Sequence, residues 1–290
     1  MKAFSGVYAA AITPRGGNGE VDFGAAFELI DHLCKGGASG ILVFGPTGEY
    51  PAFASDDRAR LVYLAAKRSR VPLLAGVGAV TLDAAIELAR GAQDAGAAAL
   101  VLPPPHFFDY DQDDLRTFYR QFAAETGSDP PILIYRTAAM EVETALELFQ
   151  SGRFGGVVDA GGNLEQYNRL VSASVPVLSG DDTFAGRSNG RGVVSAAACA
   201  VPELMAALDR ALRAGIESDI QALDHSLQEF VRWASRFPEP AAVKLATGLR
   251  GLKTGPLAVP LSPQKQKDLD SFRDWFQRWL PAVRKLSANA

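Results

Sequence analysis

The stretch Val71–Leu102, VPLLAGVGAVTLDAAIELARGAQDAGAAALVL, contains the repeating unit from which the fold of this 290-residue chain is predicted. Its apolar runs Pro72–Val77 and Ala98–Leu102 are continuous rather than alternating, which is typical of parallel strands buried on both faces. The segment between them, Thr81–Ala95, is amphipathic and opens with a threonine, a residue type that often caps helix N-termini. The stretch therefore predicts a strand, a helix and a second strand parallel to the first.

The same unit recurs along most of the chain. Helical segments such as Phe23–Lys35, which follows Asp22, and Asp56–Ser69, which follows Ser55, lie between apolar runs of the same character. These further runs are Val7–Ile12, Gly40–Phe44, Pro131–Tyr135, Gly155–Val158, Val175–Leu178 and Gly192–Ala196. Strand–helix units that repeat without a break in composition predict one closed α/β fold, a (β/α)₈ TIM barrel.

A doubly wound open sheet is the rival fold, and the first turn of the chain argues against it. That turn, Thr13–Gly17, lacks the G-x-G-x-x-G spacing of a dinucleotide-binding loop. After Pro202 the strands stop, and Glu203–Phe237, Glu239–Arg250 and Ser262–Lys285 all have helical patterns. We predict that the first is an extended eighth barrel helix and that residues 238–290 form a helical C-terminal extension. Residues 1–237 are then the barrel, and the two parts form one structural unit.

Composition excludes several classes of function. The net charge is −4, without the clustered basic residues of a nucleic-acid-binding surface. Two cysteines without a CxxC pair predict neither a disulfide framework nor a zinc site, and they fit a reducing, cytoplasmic location. No apolar segment approaches the roughly 18 residues that a membrane-spanning helix needs. We therefore expect neither nucleic acid nor membrane as a partner.

A barrel of this type places its active site at the C-terminal ends of its strands. None of the predicted strands ends in a lysine. The lysines are all in helices, loops or the C-terminal extension, at Lys2, Lys35, Lys67, Lys244, Lys253, Lys265, Lys267 and Lys285. Schiff-base chemistry needs a neutral amine in a partly desolvated pocket, and the sequence predicts no lysine in such a place.

Four motifs in order along the chain carry a family resemblance. They are Gly45-Pro46-Thr47-Gly48-Glu49, the strand Ile132–Tyr135, the pair Ser179–Asp182 and Gly192–Ser195, and Pro240–Lys244. Together they resemble the dihydrodipicolinate synthase / N-acetylneuraminate lyase family of pyruvate-dependent aldolases from end to end. The resemblance implies a lyase that acts on pyruvate or a related 2-oxo or sugar acid, a homotetramer built as a dimer of dimers, and no cofactor.

The resemblance also shows where this chain departs from the family. The sixth strand of the family reads G-[IVF]-K-[DE], whereas this chain reads Gly156-Val157-Val158-Asp159, so Val158 stands where the family has its Schiff-base lysine. Tyr135 matches the catalytic tyrosine and is retained. Pro46 replaces the second hydroxyl of the proton relay, and Phe107 replaces the tyrosine that a neighbouring subunit lends to the site. The arginine that often follows the tyrosine aligns with Met140, although Arg136 is close in sequence.

The remaining motif residues predict a pocket for a small acid. The counterpart of Thr47 helps to hold the carboxylate of the 2-oxo acid, and this role does not depend on the lysine. The other binding positions that the resemblance implies, besides Pro46 and Phe107, are Gly48, Gly180 and Ser195. Loss of a covalent nucleophile costs on the order of a million-fold in rate, so we expect a family member without Schiff-base catalysis, a pseudoenzyme candidate.

Two alternatives remain open at this point. His106, after three prolines, and Asp159 are candidates for general acid–base chemistry in an enzyme of a different mechanism. Glu49, Asp159, Asp181 and Asp182 are carboxylates that a divalent metal could use. Glu49, Asp181 and Asp182 are better explained as structural acids that cap loops and helix N-termini, and we predict no metal site. The second alternative is a non-catalytic small-molecule-binding or regulatory subunit.

Overall fold

Short parallel strands form the centre of the molecule. The computed structural model describes residues 4–188 and 191–290. Within these residues the strands are β1 Val7–Ala10, β2 Gly40–Val43, β3 Leu73–Gly76, β4 Ala99–Leu102, β5 Ile132–Arg136, β6 Gly156–Asp159, β7 Val177–Ser179 and β8 Val193–Ser195. Each pairs in parallel with the next and β8 pairs with β1, which closes the barrel. Every apolar run identified in the sequence overlaps one of these strands, although β5, β6 and β7 each extend one residue beyond their runs. The predicted (β/α)₈ barrel is therefore confirmed.

The two faces of the barrel wall bury different sets of side chains. Because successive side chains of a strand point to opposite faces, alternate residues fill the barrel interior. The interior cluster consists of Tyr8, Ala10, Leu42, Leu74, Ala99, Val101, Leu133, Val158, Leu178 and Val194, and Tyr135 packs against it. The residues between them pack outwards on the helices. Both faces are apolar, which explains why the strands are continuous apolar runs in the sequence.

Helices follow every strand except β7, which is followed by a 3₁₀ segment, Asp182–Arg187, and they cover the outside of the barrel. They are α1 Phe23–Lys35, α2 Ser55–Arg68, α3 Leu82–Asp94, α4 Gln112–Thr126, α5 Val142–Gln150, α6 Leu164–Ser172 and α7 Pro202–Ala214. The predicted caps are confirmed for α1 and α3. The carboxylate of Asp22 accepts a hydrogen bond from the backbone N–H of Ala25 (3.0 Å), and Thr81 Oγ1 accepts one from Ala84 (3.3 Å). These bonds satisfy N–H groups that have no partner within the helix.

The prediction of one extended helix over Glu203–Phe237 is wrong. The segment forms α7 and a separate helix, α8 Glu217–Ala234. Gly215 lies between them with φ +68°, a left-handed conformation that ends helices and that glycine adopts at little cost. The apolar spacing continues on both sides of this glycine, so the helical pattern alone does not show the break.

Two further helices, α9 Ala241–Gly248 and α10 Pro263–Asn289, complete the chain. Phe272, Phe276 and Trp279 of α10 pack their rings on Phe230 of α8. These contacts pack α10 against α8, whose end lies with the start of α9 beside the cavity at the barrel mouth. The division of the chain into a barrel, residues 1–237, and a C-terminal extension, residues 238–290, stays a prediction. Residues 1–3, 189 and 190 lie outside the described part. In that part no helix combines the length and the apolar character that crossing a membrane requires.

Candidate functional site

A cavity of about 350 Å³ lies at the C-terminal ends of the strands. One side of its wall comes from the barrel and includes Pro46, Thr47, Tyr135 and Gly180–Asp182. The other side comes from the end of α8, the start of α9 and the segment between them, at Phe230, Val231, Ala234, Ser235 and Phe237–Val243. The volume suits a small ligand. The predicted location at the strand ends agrees with the barrel side of this wall, whereas no motif indicated the side formed by α8 and α9.

Thr47 forms a hydrogen bond with a residue that was not predicted to be part of the site. It lies in a single 3₁₀ turn, Pro46–Gly48, and is almost fully buried. Its hydroxyl donates a hydrogen bond to a carboxylate oxygen of Glu239, a residue 192 positions further along the chain. Glu239 lines the cavity and immediately precedes the P-x-x-x-K segment. This position next to a family motif was the one feature of the sequence that marked Glu239 as a candidate, but the motif does not indicate a contact with Thr47.

Tyr135 lies near the end of β5 and lines the cavity. Within the described part of the chain, its hydroxyl has no hydrogen-bond partner. Burial raises the pKa of the phenol, and the nearby carboxylates of Glu239 and Asp181 raise it further. The hydroxyl therefore keeps its proton at neutral pH and is available to a ligand as a hydrogen-bond donor.

Val158 lies beside Tyr135, its register partner on the neighbouring strand. The valine side chain is fully buried in the barrel interior. None of the described residues that line the cavity is a lysine. Lys244 is buried, but its Nζ is 2.6 Å from Glu49 Oε2 and 3.0 Å from the carbonyl oxygen of Pro256. Burial lowers the pKa of Lys244, while the ion pair with Glu49 opposes this shift and holds the amine away from the cavity.

Asp159 forms a buried ion pair instead of lining the cavity. Its Oδ1 lies 2.6 Å from Nε of Arg136, and both side chains are almost completely excluded from solvent. Nη1 of Arg136 also donates to the carbonyl oxygen of Met140 (2.9 Å) and to Oε1 of Gln166 (3.0 Å). Because Val158 points into the barrel, its neighbour Asp159 points outwards, towards the helices. The alternation of inward and outward side chains along β6 already indicated, from the sequence, that Asp159 points away from the barrel interior.

His106 belongs to a second cavity, of about 490 Å³, with a largely apolar wall of prolines and aromatic rings. Its Nδ1 lies 3.1 Å from the hydroxyl of Tyr50. Pro46 and Tyr135 line both cavities, so the second cavity lies next to the first. Phe107 lines neither of them, and 70% of its surface is exposed.

The remaining predicted binding positions are Gly180, Gly48 and Ser195, and each makes close contacts in a loop at or near the cavity. Gly180 lines it, and a side chain there would press against Ala160 and Val158. Gly48 and Ser195 are not part of the wall. Gly48 lies so close to the backbone of Ala11 that a Cβ would come within 3.0 Å of its carbonyl oxygen. Ser195 is buried, and its Oγ accepts a hydrogen bond from the N–H of Ala198 (3.1 Å).

Two adjacent aspartates complete the wall. Asp181 Oδ1 accepts hydrogen bonds from the N–H (2.8 Å) and the hydroxyl (2.7 Å) of Thr183. Asp182 Oδ2 accepts one from the N–H of Ala197 (2.9 Å), and the hydroxyl of Ser195 lies beside the same carboxyl group. Burial raises the pKa of Asp182 to about 6. Over the same part of the chain, no three His, Cys, Asp or Glu side chains lie close enough together to hold a metal ion.

Comparison with known proteins agrees with this architecture. The 4-hydroxy-tetrahydrodipicolinate synthase of Methanothrix thermoacetophila is 31% identical, over 93% of this chain and 95% of its own length. The enzyme of the same name from Bacillus subtilis is 30% identical, over 90% and 94%. The structure of the synthase from Methylacidiphilum fumariolicum SolV superposes with a TM-score of 0.88 at 29% identity, over 98% of this chain and 99% of that one. Residues 3–278 match the dihydrodipicolinate synthetase family, and the chain therefore belongs to that family.

Proposed function

We propose that this chain binds a small polar molecule in the barrel-mouth cavity without forming a Schiff base with it. The observation that carries the proposal is the fully buried Val158 beside Tyr135, together with the absence of lysine from the described cavity wall. A valine offers neither a nucleophile nor a proton donor. Pyruvate chemistry of the aldolase type depends on an iminium as electron sink, so a cavity without an amine lacks its central step.

The size of the effect argues against synthase activity of the kind named for the relatives. Removal of a covalent nucleophile lowers rates by on the order of a million-fold in the best studied cases. Pro46 stands in the wall where the family resemblance implies a relay hydroxyl, so proton transfer between Tyr135 and that position is also lost. The retained features are those that bind: a cavity of about 350 Å³, the Thr47–Glu239 contact and the Tyr135 hydroxyl.

Reductive trapping tests this proposal. The protein is incubated with pyruvate and borohydride and its intact mass is measured, because reduction converts an iminium into a stable adduct. We expect no added mass for the natural chain and one adduct for the variant Val158→Lys. The exposed lysines of the same chain serve as an internal control against unspecific modification. A single stoichiometric adduct on the natural chain would overturn the proposal, and peptide mapping would identify the lysine.

We also propose that the chain assembles into the homotetramer that the resemblance implies. The support is an exposed aromatic group at the barrel mouth, Phe107, Phe108 and Tyr110, whose rings contact one another edge to face. Phe107 and Phe108 expose 70% and 66% of their surface, which is unusual for large apolar side chains. Sedimentation velocity measures the mass directly. We expect Phe107→Asp to dissociate the assembly, whereas an unchanged mass would show that this group lies outside the contact.

A further inference from the structure

The hydroxyl of Thr47 is already bound to a carboxylate, and this carboxylate belongs to the chain itself. Thr47 Oγ1 donates to Oε1 of Glu239, and both residues line the barrel-mouth cavity. A hydroxyl has a single donor, so it does not serve a second acceptor while this contact lasts. The structure therefore contains a carboxylate-binding position at the barrel mouth, with a side chain of the protein in it.

The turn that carries Thr47 is fixed independently of Glu239. Thr47 is 4% exposed. The backbone N–H of Gly48 donates to the carbonyl oxygen of Gly45 (3.0 Å), and the hydroxyl of Thr13 donates to the carbonyl oxygen of Gly48 (2.8 Å). These bonds hold the turn from within and from the neighbouring strand end. The binding position therefore keeps its shape when Glu239 leaves it.

Glu239 itself lies on the solvent side of this contact. The residue is exposed, whereas Thr47 is buried beneath it. It stands between Pro238 and Pro240, whose rings fix the backbone dihedral φ on both sides. The segment therefore presents the carboxylate to Thr47 at a small further cost in backbone entropy. Rotation of the side chain into water leaves no charge buried, so the contact can open without unfolding of the segment.

The other groups of the described wall offer few hydrogen-bond donors in place of Thr47. The hydroxyl of Ser235 donates to the carbonyl oxygen of Arg232 (3.2 Å). The described wall contains no lysine, arginine or histidine, and the hydroxyl of Tyr135 is the side-chain donor that stays free. A carboxylate that enters the cavity therefore competes with Glu239 for a second donor.

We infer that Glu239 is an internal ligand of the cavity and a specificity-determining residue, because it competes with the carboxylate of a small acid for Thr47. The apparent dissociation constant of a ligand is its intrinsic value divided by the fraction of molecules that can bind it. A hydrogen bond to a charged group shifts such an equilibrium by about tenfold or more. The inference rests on the proposed function, since it identifies what occupies the same cavity.

Removal of the internal carboxylate tests the competition. Dissociation constants for acetate, the smallest stable carboxylate probe, are measured by ligand-observed NMR on the natural chain and on Glu239→Ala. We expect acetate to bind the variant about tenfold more tightly. Glu28→Ala, at an exposed position on α1, is the matched control and should leave the affinity unchanged. An acetate affinity that Glu239→Ala does not raise, including binding to neither chain, would overturn the inference.

Two further variants separate competition for Thr47 from a general effect of charge. Thr47→Val in the Glu239→Ala background removes the freed hydroxyl, so the gain in acetate affinity should be lost. Asp181→Asn removes a negative charge from the wall without freeing Thr47, and we expect a gain of less than about twofold. Melting temperatures verify that each variant folds. A gain that survives Thr47→Val, or one of equal size in Asp181→Asn, would show that Glu239 acts through its charge alone and would overturn the inference.

Pyruvate joins this test to the borohydride experiment. A gain in pyruvate affinity in Glu239→Ala without an adduct on the natural chain supports both proposals. An adduct on the natural chain would overturn the proposed loss of Schiff-base chemistry and would leave the acetate comparison standing. Equal acetate affinity of the natural chain and Glu239→Ala, with no adduct, would overturn the role of Glu239 alone.

Discussion

The buried ion pair between Arg136 and Asp159 decides whether Asp159 is a structural residue or a catalytic acid. The two side chains are 1% and 3% exposed, and their closest atoms, Arg136 Nε and Asp159 Oδ1, are 2.6 Å apart. The same Oδ1 also accepts a hydrogen bond from the N–H of Gly161 at 3.3 Å. The substitution Asp159→Asn keeps the size of the side chain and removes its charge, so it leaves the guanidinium buried without a counter-charge.

The cost of this substitution can be estimated from the burial of the pair. Removal of one partner of a buried ion pair destabilises a protein by about 3–5 kcal/mol, because the remaining charge stays desolvated. Arg136 keeps its bonds to the carbonyl of Met140 and to Gln166, and the asparagine oxygen can still accept. We therefore expect the lower end of that range, about 3 kcal/mol of unfolding free energy.

An exposed ion pair of the same chain provides the matched control. Arg169 and Glu143 also form an ion pair, but their side chains are 49% and 57% exposed. Exposed pairs contribute about 1 kcal/mol or less, so Glu143→Gln should change the unfolding free energy far less than Asp159→Asn does. Urea unfolding of the natural chain and both variants gives the comparison.

The double variant completes the test of the buried pair. Replacement of Arg136 by Met in the Asp159→Asn background removes the unpaired charge and should restore part of the lost stability. A loss for Asp159→Asn no larger than that of Glu143→Gln would refute the structural role. Asp159 would then again be a candidate for acid–base chemistry.

Three further predictions follow from single contacts. Folding raises the pKa of Asp182 from 3.8 to about 6, so the native state binds this proton more tightly than the unfolded state does. The free energy of unfolding therefore falls as the pH rises from about 4 to 6, by about 3 kcal/mol in total. Asp182→Asn should therefore gain stability relative to the natural chain over that pH range in urea titrations, and a flat difference would contradict the raised pKa. Gly215→Ala should cost about 1 kcal/mol in thermal unfolding, since nothing lies within 4 Å of the new Cβ and only the φ of +68° opposes it. Thr81→Ala should cost about 1 kcal/mol through the lost cap of α3, and an unchanged melting temperature would show that the 3.3 Å bond contributes nothing.

The barrel was predictable because its signals are local. A strand buried on both faces is a continuous apolar run, and each run identified in the sequence overlaps a strand of the structure. The caps at Asp22 and Thr81 were predictable for the same reason, since a capping side chain and the backbone N–H that donates to it lie three residues apart. The break at Gly215 was local as well, but the apolar spacing that continues on both sides of it concealed the left-handed turn.

The site was only partly predictable, because its contacts join distant segments. Val158 and Tyr135 were recognised from motifs, and their pairing on neighbouring strands follows from the barrel order. The contact of Thr47 with Glu239 spans 192 positions and depends on how α8 and α9 lie over the barrel mouth. That arrangement depends on the packing of α8 against several elements, including the rings of α10 on Phe230, and no periodicity specifies it.

The sequence by itself determined the barrel, the family and the presence of valine at the strand end beside Tyr135, because strand period, motif order and residue identity are properties of the chain. Only the tertiary structure decided the charge of the cavity and the place of each ionisable group in it. Glu239 faces Thr47 in the wall, whereas Lys244 and Arg136 are held in buried ion pairs outside it. The physical reason is that a charge acts on whatever lies within a few ångströms of it, and folding alone sets which residues those are.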